Sequence, residues 1–197
     1  VDYHFTILQN IVGCFEIFDL VNFNIEDDIK ALKEKMYDFI TYSTLPSGKK
    51  PMFDDSKGGV LKYDYDNDNI KYVKTRGLEG IKPKELFKYF SSGYVFLREH
   101  FNEKNYSDST WISIKAGYTT RIHKHQDDMS VCLYSKGYDI FIDPGMYNYE
   151  YKNPIKDYIE SQSAHTTVAI RNMPYSIASG NGSKFKIIAR TKNNEYD

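Results

Sequence analysis

The hydrophobic period of this 197-residue chain changes once, near Gly93, and that change limits what the chain can fold into. Before it, apolar residues recur every three or four positions. In residues 3–21 (YHFTILQNIVGCFEIFDLV), Phe5, Leu8, Val12, Phe15 and Phe18 form one stripe. The segment is apolar nearly all round, which predicts a largely buried helix. Asn24 reads as the N-cap of a second helix, with Glu26, Asp27 and Asp28 in a first turn where the helix dipole favours negative charge. Ile25, Ile29, Leu32, Met36, Phe39 and Ile40 carry the helical spacing to about Tyr42. Such a hairpin must dock on more helices or on a sheet to bury both its faces.

After Gly93 the pattern alternates. YVFLRE (94–99), WISIKAG (111–117), SVCLYS (130–135), YDIFID (138–143), TTVAIR (166–171) and FKIIA (185–189) are short, rich in β-branched and aromatic residues, and separated by Gly, Asn, Asp and Lys turns. The fold class expected is α+β, with helices over 1–90 followed by an antiparallel β-sandwich over 91–197. Within the first segment lie a loop rich in Gly, Pro and charge (44–59) and a stretch with no clean period (60–82). A short helix is expected to open at Pro83 and close before Ser91-Ser92-Gly93. Asp54-Asp55-Ser56 in the loop fits a capped turn and a functional role equally well.

Composition removes several classes of partner. Lys+Arg 26 against Asp+Glu 27 leaves a formal charge of -1, so no basic excess points to nucleic acid. An apolar fraction of 41% supports a core. No run of about 18 apolar residues is present, so no membrane span is expected, and no secretory signal is visible. Cys14 and Cys132 match neither metal nor disulfide spacing and read as buried thiols. The 18 Tyr and 12 Phe suit either a β-rich core or a surface that stacks on sugars. The chain begins at Val1, straight into a helix-like pattern, and reads as a processed chain or a piece of something longer.

The chemistry concentrates in Gly117–Tyr149 (GYTTRIHKHQDDMSVCLYSKGYDIFIDPGMYNY) and at His165. His123 and His125 sit at i and i+2, which on a strand places both rings on one face. They could share a metal, or one could hold metal while the other moves protons. A zinc site takes three or four N, O or S ligands. His125, Asp143 at a strand end and His165 at a strand start could converge in a sandwich.

The order His123-x-His125-x-Asp127-x-x-Ser130, Gly137, Asp143-Pro144-Gly145-x-Tyr147-x-Tyr149, Tyr158-x-x-Ser161-x-x-Ala164-His165-Thr-Thr-Val168 resembles the heparinase II/III-like polysaccharide lyases. Upstream, Tyr3-His4 is similar to the Tyr-His that opens a helix in that family, SGKKPMFDDS (47–56) to its Gly-x-x-Pro-x-x-x-Asp-Ser loop, and SGYVFLRE (92–99) to the start of its sandwich. The resemblance covers roughly residues 3–172. It implies an incomplete α/α toroid ahead of the sandwich, an active site between them, and β-elimination at a uronic acid of an acidic polysaccharide. It also implies that Tyr3 and His123 are the catalytic proton-transfer pair. His125, Asp143 and His165 would hold one divalent ion, by donor set zinc, iron or manganese, with zinc favoured and its role mainly structural. Asp127 is a candidate orienter of an imidazole or else a turn carboxylate.

Two departures stand out. Thr166 stands where the family has an Asn after its third metal ligand, the histidine matched by His165. The group that neutralises the substrate carboxylate lies upstream of the Tyr-His helix there, as do further toroid helices. This chain by itself is therefore expected to be weak or inactive on polymer. The family's habits imply a periplasmic or secreted protein, and the near-zero charge favours a less sulfated substrate. Two other readings use the same residues. One is a metal-pinned sandwich that binds acidic glycans without cleaving them. The other is a cupin-type metal enzyme, for which Gly117-x5-His123-x-His125 fits but the following Glu and the later Pro-x-Gly-x-x-His do not.

Overall fold

The structure, a computed structural model, describes residues 2–117 and 122–172. Two helices form the expected hairpin, α1 (Asp2–Leu20) and α2 (Asp27–Ser43), and a short α3 (Asp68–Lys74) packs on α2. A five-stranded antiparallel meander follows in the order β1-β2-β3-β4-β5, formed by Phe87–Phe90, Tyr94–Arg98, Trp111–Lys115, Ser130–Ser135 and Tyr138–Phe141. A 3-10 segment (Glu103–Asp108) links β2 to β3. Helix α4 (Pro154–Glu160) and a 3-10 turn (Gln162–Ala164) close the described chain.

Helix α2 is the shared wall of two cores. Met36, Tyr37 and Ile40 join Phe5, Leu8, Ile70, Tyr72 and Val73 in a helical core. Phe39 and Tyr42 join Phe53, Phe96, Trp111, Cys132 and Tyr134 against the sheet. The Trp111 indole donates to the Tyr42 carbonyl at 3.0 Å, and Lys88 pairs with Asp38 at 2.8 Å, so α2 is held to the sheet by polar contacts as well as by burial. Alternation in β3 and β4 is clean. Trp111, Ser113 and Lys115 point inward opposite Tyr134, Cys132 and Ser130. That inward face therefore runs from apolar at Trp111 to charged at Lys115. Burial among these neighbours pushes the Cys132 thiol up to about 12.

Several expectations are corrected. Residues 87–90 are a strand and not the end of a helix: Phe87, Tyr89 and Phe90 favour extended backbone, and the turn at Gly93 folds them onto β2. A Cβ on Gly93, at φ +94, would lie 2.1 Å from the Ala116 carbonyl, so the hairpin needs glycine there. The sheet thus starts ahead of the expected boundary at residue 91. Residues 166–171 form no strand. The Val131 amide donates to the Thr166 carbonyl, but a tight turn, Thr167 amide to His165 carbonyl, diverts the chain and leaves Val168 and Ile170 exposed. Among the described residues there is one sheet, not two, and residues 185–189 lie outside them. Glu26, not Asn24, precedes α2, and it makes no side-chain cap. Helix α3, capped by Asn67, was missed because seven residues are too short to show a period. Helix α1 is not largely buried: Phe5 and Leu8 are, whereas Ile17 and Leu20 face outward and Cys14 is an exposed thiol. No described helix is long and apolar enough to cross a membrane.

His4 fastens α1 to α2. Its Nε2 pairs with the Met36 carbonyl at 3.0 Å and its ring lies 4.5 Å from that of Phe39. Burial lowers its pKa, against the opposing pull of the Met36 carbonyl. A base depressed in the folded state binds more protons when unfolded, so its contribution is present above the unfolded value and lost as pH falls. Urea unfolding should show stability declining below about pH 6.5, with a shallower decline in His4→Asn.

Candidate active site

The site is assembled on loops at the charged end of the sheet. The turn before β4 carries His123 and His125. It is not a strand: His123 has φ +59, a left-handed conformation that a non-glycine residue keeps only when its surroundings hold it. The two rings still meet a common partner. Asp55 Oδ2 lies 2.6 Å from His123 Nδ1, and Asp55 Oδ1 lies 3.1 Å from His125 Nε2. Burial raises the Asp55 pKa, but the hydrogen bonds from His123 and His125 outweigh it and leave the carboxyl below its ordinary value. An ionised Asp55 accepts from both rings. For a neutral imidazole that contact favours the tautomer with the proton on Nδ1 in His123 and on Nε2 in His125, with the opposite nitrogen of each ring as the acceptor.

The loop that carries Asp55 is tied on every side. Asp54, at φ +49, accepts from the His125 amide at 3.0 Å and pairs with Lys115 at 2.5 Å. The Ser56 carbonyl accepts from the Met146 amide at 3.1 Å, and its hydroxyl accepts from the Asp2 amide at 3.2 Å. Asp2 also pairs with Lys50 and accepts from the Lys57 amide. The loop therefore seats the first turn of α1 and, with it, Tyr3. The Tyr3 ring stacks on His123 with centroids 4.4 Å apart, and both rings are solvent-accessible. The Tyr149 hydroxyl completes the group, 3.2 Å from the Tyr3 hydroxyl and 3.4 Å from His123 Nδ1. Its bond with Tyr3, together with burial and nearby Asp55, raises the Tyr149 pKa.

Behind this exposed pair, His125, Asp143 and His165 converge. All three are buried, and one donor atom from each lies within 4.8 Å of the others. Asp143 Oδ2 is 3.0 Å from His165 Nδ1, and the Gly145 amide caps Asp143 Oδ1 at 3.2 Å. His125 Nδ1 and His165 Nε2 are buried with no hydrogen-bond partner. Unpartnered buried imidazole nitrogens are costly, and a cation would satisfy them. The residues thus fit a divalent ion with two imidazoles and a carboxylate. Asp55, His125 and Glu160 form a second grouping of the same kind that shares His125.

All five residues singled out from the sequence gather here, Tyr3 with His123 and His125 with Asp143 and His165. His165 follows a 3-10 turn, not a strand start. Asp127 orients no imidazole. It accepts from Lys115 at 2.6 Å and from Lys124, and these lysines outweigh burial to hold its carboxyl below the usual range. Burial would lower the Lys115 pKa, but Tyr94, Asp127 and Asp54 hold it well above its ordinary value. Thr166, where the family has Asn, donates to the Ile142 carbonyl at 3.4 Å. From the sequence, Asp55 stands open between a capped turn and a functional role, and Tyr149 has no assigned role. Both stood within quoted motifs, but no periodicity marks a loop carboxylate as the partner of two rings about seventy residues on. The open five-stranded sheet among the described residues is not the barrel a cupin requires.

A family model described as heparinase II/III-like, C-terminal, matches residues 81–195. A heparin-sulfate lyase of Bacteroides stercoris is 27% identical over 86% of this chain and 28% of its own. A solved heparinase III with methylated lysines superposes with a TM-score of 0.76 at 25% identity, over 88% of this chain and 29% of that one. The heparan sulfate lyase HepC of Pedobacter heparinus gives 0.67 at 21%, over 82% and 27%, a likeness of fold. The chain spans less than a third of the length of these relatives.

The turn at Asp143 depends on glycine. A Cβ on Gly145, at φ +65, would lie 2.4 Å from the Ser56 carbonyl and 2.9 Å from Met52 Cβ. Gly145→Ala should separate the turn from the Asp55 loop and cost about 1–3 kcal/mol in chemical denaturation.

Proposed function

Since the chain belongs to the heparinase II/III-like family, whose C-terminal domain it carries, we propose that it serves β-elimination at a uronic acid in a glycosaminoglycan-type polysaccharide. The observation that carries the reading is the exposed stack of Tyr3 on His123, with the Asp55 carboxylate behind the imidazole. Elimination breaks the C5–H bond, forms the C4–C5 double bond and breaks the C4–O4 bond. The proton taken from C5 goes to a base, and O4 takes one from an acid. His123 offers a free Nε2 lone pair, because Asp55 holds the ring proton on Nδ1. The Tyr3 phenol, hydrogen-bonded to Tyr149, offers the opposite partner. Asp55 also steadies the imidazolium that forms when His123 accepts a proton, as a carboxylate does behind a catalytic histidine. Which of Tyr3 and His123 faces C5 follows from the epimer of the uronic acid. A helical toroid beside the sheet would supply the other wall of the substrate cleft.

The buried His125, Asp143 and His165 would hold one divalent ion, zinc by this donor set. Bound, it supplies a cross-link between three loops. The chain's own part is to aim His123 two residues away, with Asp55 orienting the ligand ring of His125.

In the protein carrying this chain with all of its native upstream sequence, Tyr3→Phe and His123→Ala should each lower kcat by about 10²–10⁴-fold on a weakly sulfated uronate polymer. The ultraviolet absorbance of the unsaturated product measures the rate. Oligosaccharides that bind yet stay intact, with no difference between wild type and Tyr3→Phe, would favour a binding module over a lyase. Separately, a chelator should lower the melting temperature of the wild type. His165→Ala, with reduced metal content by elemental analysis, should show little further drop.

A further inference from the structure

Lys115 lies at the charged end of the inward sheet face, 1% exposed, with Tyr94 and Ser130 as its neighbours in register. A buried ion pair is a poor device for stability alone, since well-packed apolar residues often do as well. What this one fixes is specific. Its ammonium is 2.5 Å from Asp54 Oδ2 and 2.6 Å from Asp127 Oδ2. Asp54 belongs to the loop before the sheet, and Asp127 to the turn that carries both histidines. The other oxygen of Asp54 accepts from the His125 amide at 3.0 Å. Lys124, paired with Asp127, also donates to the His125 carbonyl at 2.6 Å. Lys115 is thus the junction of two loops, each with a non-glycine residue at left-handed φ, Asp54 at +49 and His123 at +59. The residue next to Asp54 is Asp55, whose carboxylate spans the two rings.

We propose that Lys115 is a positioning residue for the elimination: by holding Asp54 against Asp127 it sets the Asp55 carboxylate, and through it the tautomer and aim of His123. The inference rests on the reading that His123 moves a proton. Lys115 touches no reacting atom. Without it, the half-buried Asp54 carboxylate would lose its cation and Asp127 would keep only Lys124, so nothing would tie the loop carrying Asp55 to the histidine turn through these two acids. Both rings would then lose their shared acceptor.

The test compares Lys115→Met and Asp54→Asn in the protein with its full native sequence. Asp54→Asn keeps an acceptor for the His125 amide, removes the charge that Lys115 grips and leaves Lys115 paired with Asp127. It therefore decides the matter if Lys115→Met fails to fold. Both variants should lower kcat ~10–100-fold, the usual effect of losing a partner that orients a ligand or catalytic group. KM should stay within about twofold, because the contact acts on the chemical step and not on binding. In a background of Asp55→Ala, neither substitution should lower kcat much further. Long-range 1H–15N spectra of the histidine rings should show His123 with its proton on Nδ1 in the wild type and a mixture of tautomers in both variants. Unchanged kcat, full independent losses on the Asp55→Ala background, or an unaltered tautomer in a folded variant would each overturn the proposal. A wild type no faster than His123→Ala would instead overturn the lyase reading, and the ring spectra would still report whether the clamp holds Asp55.

Discussion

One carboxylate constrains the rest of the site. Asp55 reaches two imidazoles with its two oxygens, so a single group holds both rings. A histidine has two nitrogens, and the hydrogen bond at one decides what the other can do. By accepting from Nδ1 of His123 and from Nε2 of His125, Asp55 leaves opposite nitrogens free on the two rings. One belongs to the exposed ring on which Tyr3 stacks. The other is the buried, unpartnered Nδ1 of His125, whose ring groups with Asp143 and His165. The same anion thus joins an exposed ring, the proposed proton-transfer group, to a buried one, the proposed ligand.

A carboxylate can do this only if its own backbone is held, and the sheet supplies the hold. The inward face of β3 and β4 begins at Trp111 and Tyr134, where burial against α2 anchors the strands, and ends at Lys115 and Ser130. The apolar end provides the stability and the polar end the positions. That division explains why a buried lysine sits in register with a serine instead of with another aromatic. It also explains why the loops around it keep Asp54, His123 and Met129 at left-handed φ: the strain is local, and the sheet core offsets it.

Much of this was legible in the sequence, and the failures share a cause. The helical hairpin and strands β2 to β5 are long or regular enough for periodicity to reveal them. The grouping of Tyr3, His123, His125, Asp143 and His165 rested on spacing and resemblance, and the five do meet. What periodicity could not reveal is where non-local contacts win. FKYF at 87–90 pairs with β2 although Pro83 invites a helix. The alternating TTVAIR has no described strand to pair with beyond Thr166, so its pattern produces no ladder. Cys14 looked buried because its neighbours are apolar, but α1 has only one side to bury against α2. Asp127 looked like an imidazole partner because it lies near His125 in sequence. Asp55 is the partner instead, brought about seventy residues by the fold.

The exposure pattern bears on how such a site could work. Tyr3 and His123 are reachable from solvent, whereas His125, Asp143 and His165 are closed off. Groups that exchange protons with a polymer must be open to it, while groups that fix loop geometry work best in low dielectric, where each interaction is stronger. The two sets lie on either side of one loop, 51–56, whose residues bond to the start of α1, to the histidine turn and to the turn after Asp143. A shift of that loop would move the stack and the buried group together. On the proposed function, proton transfer and loop cross-linking would then not be independent. Both would depend on the position of the same loop, so its anchor in the sheet, and not either histidine alone, would be where the site is most easily undone.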